Sequence, residues 1–421
     1  MNRLSAVFMS FIIALAFGLG SASAETVVKW LHLETAPRIV AAWEQVVADY
    51  EAANPDVKVE MQFLENEAFK AKLTTLLQSD DRPDIFYSWG GGVLKAQIEA
   101  GVLRDIDGLM RGEWEETLSP AAVNAFTYDG KAYGVPHLVS QVGFWYNKAL
   151  FAKAGVKAED IKTWDDLLSA VKTIKAAGIT PIAVGGAEKW PLHFYWTHLA
   201  IRIGGKAAFE AATSGEGEGF AGPVFVRAGD EFKRLIDLEP FQRGFLANTF
   251  PESAGYFGDG NAAMQLQGNW DYNTQKTNSV SKEGIPDENL GWFPFPIVEG
   301  GAGEPTDTLG GINGWIFSKW ASDEAVDFMR FFVSPDNQRM MGREGFFIPV
   351  AKGAADEMKN PFFRKISENI AASKYHQIFY DQMLGPDVGR VVNDVSTDLA
   401  AGIITSKEAA ATVQEAWEFE N

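Results

Sequence analysis

The chain has 421 residues, 46% of them hydrophobic, with a formal net charge of −19 and no cysteine. That charge is the opposite of what a nucleic-acid binder carries, and anionic membrane surfaces would repel it. The missing cysteine excludes disulfides, a thiolate nucleophile, a cysteine metal site and lipid attachment at a processing-site cysteine.

Asn2 and Arg3 make a short positive start, followed by an apolar run from Val7 to Leu19 and then Ala22-Ser23-Ala24. This pattern predicts a secretory signal peptide over 1–24, cleaved before Glu25. The run is shorter than the roughly 20 residues a spanning helix needs. The mature chain is therefore expected to be a periplasmic protein with no lipid anchor.

From Thr26 the pattern alternates between strand and helix. Thr26 to Leu33 is β-rich, and Ile39, Val40, Trp43, Val46, Val47 and Tyr50 recur at helical spacing up to Asn54-Pro55. Val57, Val59, Met61 and Phe63 alternate as in a half-buried strand. Phe69, Leu73, Leu76 and Leu77 mark a helix, Asp84 to Tyr87 a strand, and Val93 to Ile98 a helix ending at Gly101. This order predicts a mostly parallel sheet with helices on both faces, and a ligand site beyond the carboxyl ends of the strands. Asp129-Gly130 signals a hairpin turn. A second series follows: a helix capped by Thr163 with Asp166, strands at Pro181–Val184 and Ala262–Leu266, and late helices at Ala325–Val333 and Ser406–Trp417.

Several fragments, in order, carry a resemblance. They are Val28-Lys29-Trp30, Ala53-Asn54-Pro55, Pro83-Asp84-Ile85-Phe86 with Trp89, Asp129 through Pro136 and Tyr146-Asn147-Lys148. Thr163 through Leu167, Ala263-Met264, Gly268-Asn269-Trp270, Gly310-Gly311 and Gly345 through Val350 complete the set. Together they resemble the extracellular solute-binding proteins of carbohydrate ABC importers, the family that includes maltose-binding protein. The resemblance implies an α/β fold of two lobes joined by crossing segments, with a ligand cleft between them that closes by hinge motion. Lobe one would be 25–140 plus 314–378, and lobe two 141–313 plus 379–421. The crossings would fall near Ser140–Gly143, Asn313–Phe317 and Tyr375–Tyr380. The implied partners are a carbohydrate and the membrane permease subunits, with the protein itself a monomer.

A sugar offers apolar C–H faces and a rim of hydroxyls, so its site needs aromatic rings with acids or amides between them. Trp89 follows a strand and precedes Gly90-Gly91-Gly92, glycines that would let a ligand approach the backbone. Trp270, with Asp271 beside it, matches the family's stacking aromatic after a strand. Trp190, between Lys189 and Pro191, falls in a lobe-two loop and reads equally as a ring for the site or as core. His32 and Glu34 end the first strand. Ser140 and Gln141 stand in the first crossing, where many relatives carry an acid. Asn313 follows two glycines, and Tyr380 and Asp381 lie in the last crossing, where packing is the other reading. Trp43, Trp164 and Trp417 read as packing, as do Phe346 and Phe347, one of which is placed at the cleft edge. The several rings lean toward a di- or trisaccharide.

No catalytic residue, metal or cofactor is expected. His193 and His198 are five apart, which is not metal spacing, and the literal dinucleotide fingerprint at Gly217–Gly222 has no strand before it. Two rivals stand beside the sugar reading. One is the same fold holding a peptide, polyamine, iron or glycerol phosphate. The other is a secreted glycoside hydrolase, which needs two acids roughly 5 to 9 Å apart.

Overall fold

A computed structural model describes residues 25–421, so the predicted signal peptide lies outside the described residues. Twelve strands are present among them: β1 (Thr26–His32), β2 (Val57–Phe63), β3 (Ile85–Ser88), β4 (Thr127–Tyr128), β5 (Lys131–Ala132), β6 (Gly134–Asn147), β7 (Thr180–Ala183), β8 (Ala262–Gly268), β9 (Leu290–Phe293), β10 (Thr308–Phe317), β11 (Ile348–Pro349) and β12 (His376–Ile378). The main sheet runs β2-β1-β3-β10-β6-β8-β7, with β11 and β9 also on β6 and β12 also on β10. β4 and β5 form the hairpin signalled by Asp129-Gly130, where Asp129 itself has φ of 47°.

The two ends of this path are the α/β series read from the pattern. β1 is parallel to β2 and β3, and β7 is parallel to β8. The middle is not parallel. β10 runs antiparallel to β3 and β6, and β6 antiparallel to β8. The physical reason is connectivity. The chain leaves the first lobe on the 14-residue β6 and comes back on β10, so the two crossing strands pair head to tail. At Gly310 to Asn313, β10 pairs with Gln141 to Leu138, and from Val142 onward β6 pairs with β8 instead. β12 then joins Thr308 to Gly310 as the third crossing.

Period-two alternation divides each lobe into two packed faces. In the first lobe Trp30, Ile85 and Trp315 face the helices Pro37–Ala53 and Asp323–Phe332. Their neighbours Leu31, Phe86 and Ile316 face Phe69, Leu73 and Leu94 on the opposite side. In the second lobe Val142, Phe144, Met264 and Leu266 meet the helices Trp164–Ala176, Trp190–Thr213 and Pro223–Ile236. Trp145 turns the other way, toward Phe257, Trp292, Phe362 and Phe363. A buried tryptophan removes about 150–250 Å² from water, roughly 4–6 kcal/mol gross at ~25 cal/mol/Å² before ordering entropy is subtracted.

The Thr163 cap is formed in full: its Oγ1 accepts from Asp166 N at 3.1 Å, and Asp166 accepts from Thr163 N at 2.8 Å. The Gly217–Gly222 stretch follows a helix rather than a strand and forms a short 3₁₀ turn before Pro223, which removes the dinucleotide reading. Trp190 is not in a loop. It is the first residue of the Trp190–Thr213 helix, with Pro191 in the first turn, where a missing N–H costs nothing.

Candidate functional site

A cavity of about 260 Å³ lies where the two lobes face each other across β6 and β10. Its floor is the pair of crossing strands. Ser140 Oγ accepts from Gly311 N at 3.0 Å and donates to Gly311 O at 3.2 Å, so this hydroxyl mainly ties β6 to β10. Asn313 donates from Nδ2 to Tyr87 Oη at 2.9 Å, and its Oδ1 is buried with no partner among the described residues.

The first lobe supplies a wall from the ends of β1 and β3. After β1 the chain turns, and Glu34 Oε1 accepts from Thr35 N at 2.9 Å and Ala36 N at 2.7 Å, fixing the carboxylate. Burial pushes its pKa up despite those bonds. After β3, Trp89 sits half-buried with Tyr87 at 5.2 Å and Phe69 at 5.8 Å, both edge-on, and Lys70 Nζ 5.6 Å from its centroid. Three neighbours thus hold one ring in place, which lowers the entropy cost of stacking on it.

The second lobe supplies the facing wall, which is more aromatic. Trp190 packs edge-on to Phe250 at 5.0 Å and Phe194 at 5.5 Å, and Trp270 lies 6.5 Å from Trp190 and 5.9 Å from Phe379. Gly268 has no Cβ for a reason: one there would collide with the Trp270 ring. One turn along the helix from Trp190, His193 is buried with Nε2 3.8 Å from Asp381 Oδ1. Burial lowers the His193 pKa, with the Asp381 charge opposing it, which favours the neutral imidazole. Glu188 accepts from Phe250 N at 2.9 Å, and burial pushes its pKa up to about 7, with Glu65 and Glu67 of the opposite lobe adding to the rise.

Of the residues singled out from the sequence, Glu34, Trp89, Ser140, Trp190, Trp270, Asn313 and Asp381 line this cavity. Four do not. His32 is buried against Trp43 and Phe63, and its Nδ1 accepts the Glu34 N–H at 3.3 Å, so it supports the turn from beneath. Gln141 points to the opposite face of β6 from Ser140 and accepts from Asn369 at 3.1 Å. Asp271 is wholly buried in the first turn of its helix, and burial pushes its carboxyl well up. Tyr380 is stacked on Phe209 at 5.0 Å in the second-lobe core, one residue too early to reach the cleft that Asp381 reaches. The role read for Gly90-Gly91-Gly92 also changes. A Cβ on Gly92 would stand 2.6 Å from Gly385 N and Met383 O, and one on Gly91 2.9 Å from Gln382 O. The backbone of the last crossing occupies the space, so these two glycines let the lobes approach each other.

Tyr87, His137, Glu188, His193, Phe194, Phe250 and Asn269 also line the cavity and were not singled out. Glu188 lies beyond the carboxyl end of β7, where the strand-end rule points, and His193 lies at i+3 from Trp190 on the same helix. Phe346 and Phe347 both edge the cavity while packing in the first-lobe core, as does Trp43. Trp164 stacks on Phe295 at 5.2 Å, and Trp417 packs on Phe220. Among the described residues no group of three or more His, Asp or Glu is placed to hold a metal ion, and no helix is long and apolar enough to cross a membrane.

Two solved structures are similar over nearly the whole chain. One comes from work on xylan utilization by Caldanaerobius polysaccharolyticus: TM-score 0.85, 27% identity, covering 92% of this chain and 99% of that one. The other is a chitin oligosaccharide binding protein, with TM-score 0.85, 25% identity, and 94% and 99% coverage. Among curated relatives, a diacetylchitobiose binding protein of Streptomyces coelicolor is 25% identical over 81% of this chain and 77% of its own. An ABC transporter extracellular-binding protein of Pyrococcus horikoshii and a multiple sugar-binding protein of Streptococcus mutans are 25% and 24% identical, and the chain spans about three fifths of their lengths, 59% and 61%. The proteins so named are binding proteins, and the architecture they share is the two-lobed one. The model of bacterial extracellular solute-binding proteins matches residues 36–339, and the chain belongs to that family.

Proposed function

We propose that this chain is the substrate-capturing component of an ABC sugar importer, which holds a carbohydrate between its lobes and delivers it to the permease without chemical change. One observation carries the reading: Trp89 from the first lobe and Trp190 and Trp270 from the second line one cavity together with carboxylates and an amide. Rings cover the C–H faces of a sugar and the polar groups take its hydroxyls. The names of the relatives support the same class. The proposed contacts are Trp89, Trp190, Trp270, Glu34, Asn313 and Asp381, with Ser140 holding the floor. The three rings favour a di- or trisaccharide.

The proposed location is the periplasm after removal of 1–24, as a monomer with no lipid anchor. The proposed lobes are 25–140 with 314–378 and 141–313 with 379–421. One refinement is that the helix Pro361–Ala372 moves with the second lobe, because Phe362 packs on Trp145 at 5.5 Å. The acids and the single lysine of the cleft lining disfavour a phosphate-bearing solute.

The test is a sugar panel on residues 25–421, read by tryptophan fluorescence and thermal unfolding. A ligand at about 100 times its Kd should add roughly 2.7 kcal/mol to stability. A saturable response to one sugar class, with no product formed, supports the proposal. Turnover of the sugar would replace it with a hydrolase.

A further inference from the structure

The charge of the cleft is unbalanced. Glu34, Glu65, Glu188 and Asp381 line it, and Lys70 is the one lining residue with a permanent positive charge. That lysine is already engaged: its Nζ meets Glu67 at 2.9 Å and lies over the Trp89 ring. Among the described residues, no lysine or arginine comes within ion-pair distance of Glu34, Glu65, Glu188 or Asp381. The nearest ionisable partner of Asp381 is His193, 3.8 Å away, whose burial disfavours the charged imidazole.

The four acids share a second feature. Each has one oxygen tethered by a protein donor. Glu34 Oε1 takes Thr35 N and Ala36 N, and Glu65 Oε2 takes Glu67 N and Ala68 N. Glu188 Oε2 takes Phe250 N, and Asp381 Oδ2 takes Asn393 Nδ2. The other oxygen of each receives no protein hydrogen bond among the described residues. A further acceptor stands at the floor, the buried and unpartnered Oδ1 of Asn313, one of whose two amide N–H donors goes to Tyr87. Glu34, Tyr87 and Asn313 line the cavity together, at the corner where Asn313 bonds Tyr87 and where the Glu34 charge adds to the burial that raises the Tyr87 pKa.

We infer that this corner receives a protonated amine, so that the cleft prefers a sugar with a free amino group to its hydroxyl, N-acetylated or acidic counterpart. An ammonium offers three donors and no acceptor, which suits the free carboxylate oxygen of Glu34 and the unpartnered Oδ1 of Asn313. It also neutralises a negative field that no lysine or arginine among the described residues pairs with directly, and carboxylates lining a cleft raise the encounter rate for a cation. The upward pull of Glu65 and Glu67 on Glu188 across the cleft reports the same field. A hydroxyl would satisfy the hydrogen bonds and leave the charge in place. An N-acetyl group removes the charge and adds bulk, and a uronic acid adds repulsion.

This inference rests on the sugar reading, and one experiment separates the two. Three β-1,4-linked dimers differing only at carbon 2 are titrated calorimetrically at pH 6: the glucosamine dimer, cellobiose and N,N′-diacetylchitobiose. The expected result is that the glucosamine dimer binds about tenfold or more tightly than the other two, the scale of one charge-assisted hydrogen-bonded pair. Glu34→Gln should collapse that ratio toward one, and the wild-type ratio is decisive should the variant not fold. Equal affinities, or tighter binding of the acetylated dimer, overturn the inference and leave the sugar reading standing. So does binding of neutral sugars of another linkage with no response to any of the three. Binding of spermidine with no response to any sugar overturns both.

Discussion

Two groups of tryptophans in this molecule are made of the same residue and do different things. Trp30, Trp43 and Trp315 lie within 5.1–5.9 Å of one another, almost without solvent contact, against Phe328 and Phe332. Trp89, Trp190 and Trp270 are each half-buried, braced edge-on by other aromatics, with part of the ring left to the cavity. The first group has contributed nearly its whole surface to folding. The second has contributed only enough to be held still, and the remaining ring area is what a ligand can cover. The core group also ends at the cleft, because Trp43 reaches the cavity wall from beneath, so loss of the core would loosen the site above it.

The comparison breaks most sharply at Trp315. Trp315→Ala should cost about 3–5 kcal/mol of stability in denaturant titration, as expected for a large aromatic removed from a close-packed core. A variant that melts like the parent but no longer binds would erase the distinction between the groups. Trp270→Ala should do the reverse. Sugar affinity should fall by about 1–3 kcal/mol while the unfolding midpoint stays near that of the parent. Unchanged affinity would remove Trp270 from the site. Gly92→Ala tests the approach of the lobes. Its Cβ would meet backbone, which cannot rotate away, so the lobes should be held apart and affinity reduced without any contact to ligand. Small-angle scattering with saturating sugar should show a wider molecule. Gly268→Ala displaces the Trp270 ring without removing it, so its loss of affinity should be smaller than that of Trp270→Ala.

The smallest expected effect is on pH dependence. Glu188 has an ordinary pKa of 4.5 and is pushed to about 7 in the folded chain. Between those values the folded state holds a proton that the unfolded state releases, so stability falls as pH rises from about 4.5 through about 7. Glu188→Gln should flatten that part of the melting-temperature profile. An identical slope in the variant would show that Glu188 is not under strain at the cleft.

Much of the fold was legible locally. The helix Pro37–Ala53 and strands β1, β2, β3 and β8 follow apolar periodicity, and Thr163 caps its helix through bonds within one turn. The first part of the Trp190–Thr213 segment, before the break at Gly205 (φ 61°), was not legible as a helix, because it is buried on nearly all sides and shows no polar face to set a period. The antiparallel middle of the sheet was missed because pairing direction depends on where the chain goes next. In the site, aromatic residues after strands were found because rings at strand ends are a conspicuous signal. Glu188 and His193 were missed because single acids and histidines are common, and only their position beside Trp190 and Asp381 distinguishes them.

The residue order by itself determined many of the strands and amphipathic helices, the family to which they belong and most of the rings offered to a ligand, since each depends on spacing within a few residues. The tertiary structure alone decided which face of a strand meets the cleft. One step along β6 sends Ser140 to the cavity and Gln141 to Asn369, and one step past β12 buries Tyr380 and presents Asp381. It also decided that Glu34, Glu65, Glu188 and Asp381, spread over some three hundred and fifty positions, share one cavity with a single lysine among them. Charge acts through space with little regard for chain distance, so the field of this cleft exists only once the two lobes face each other.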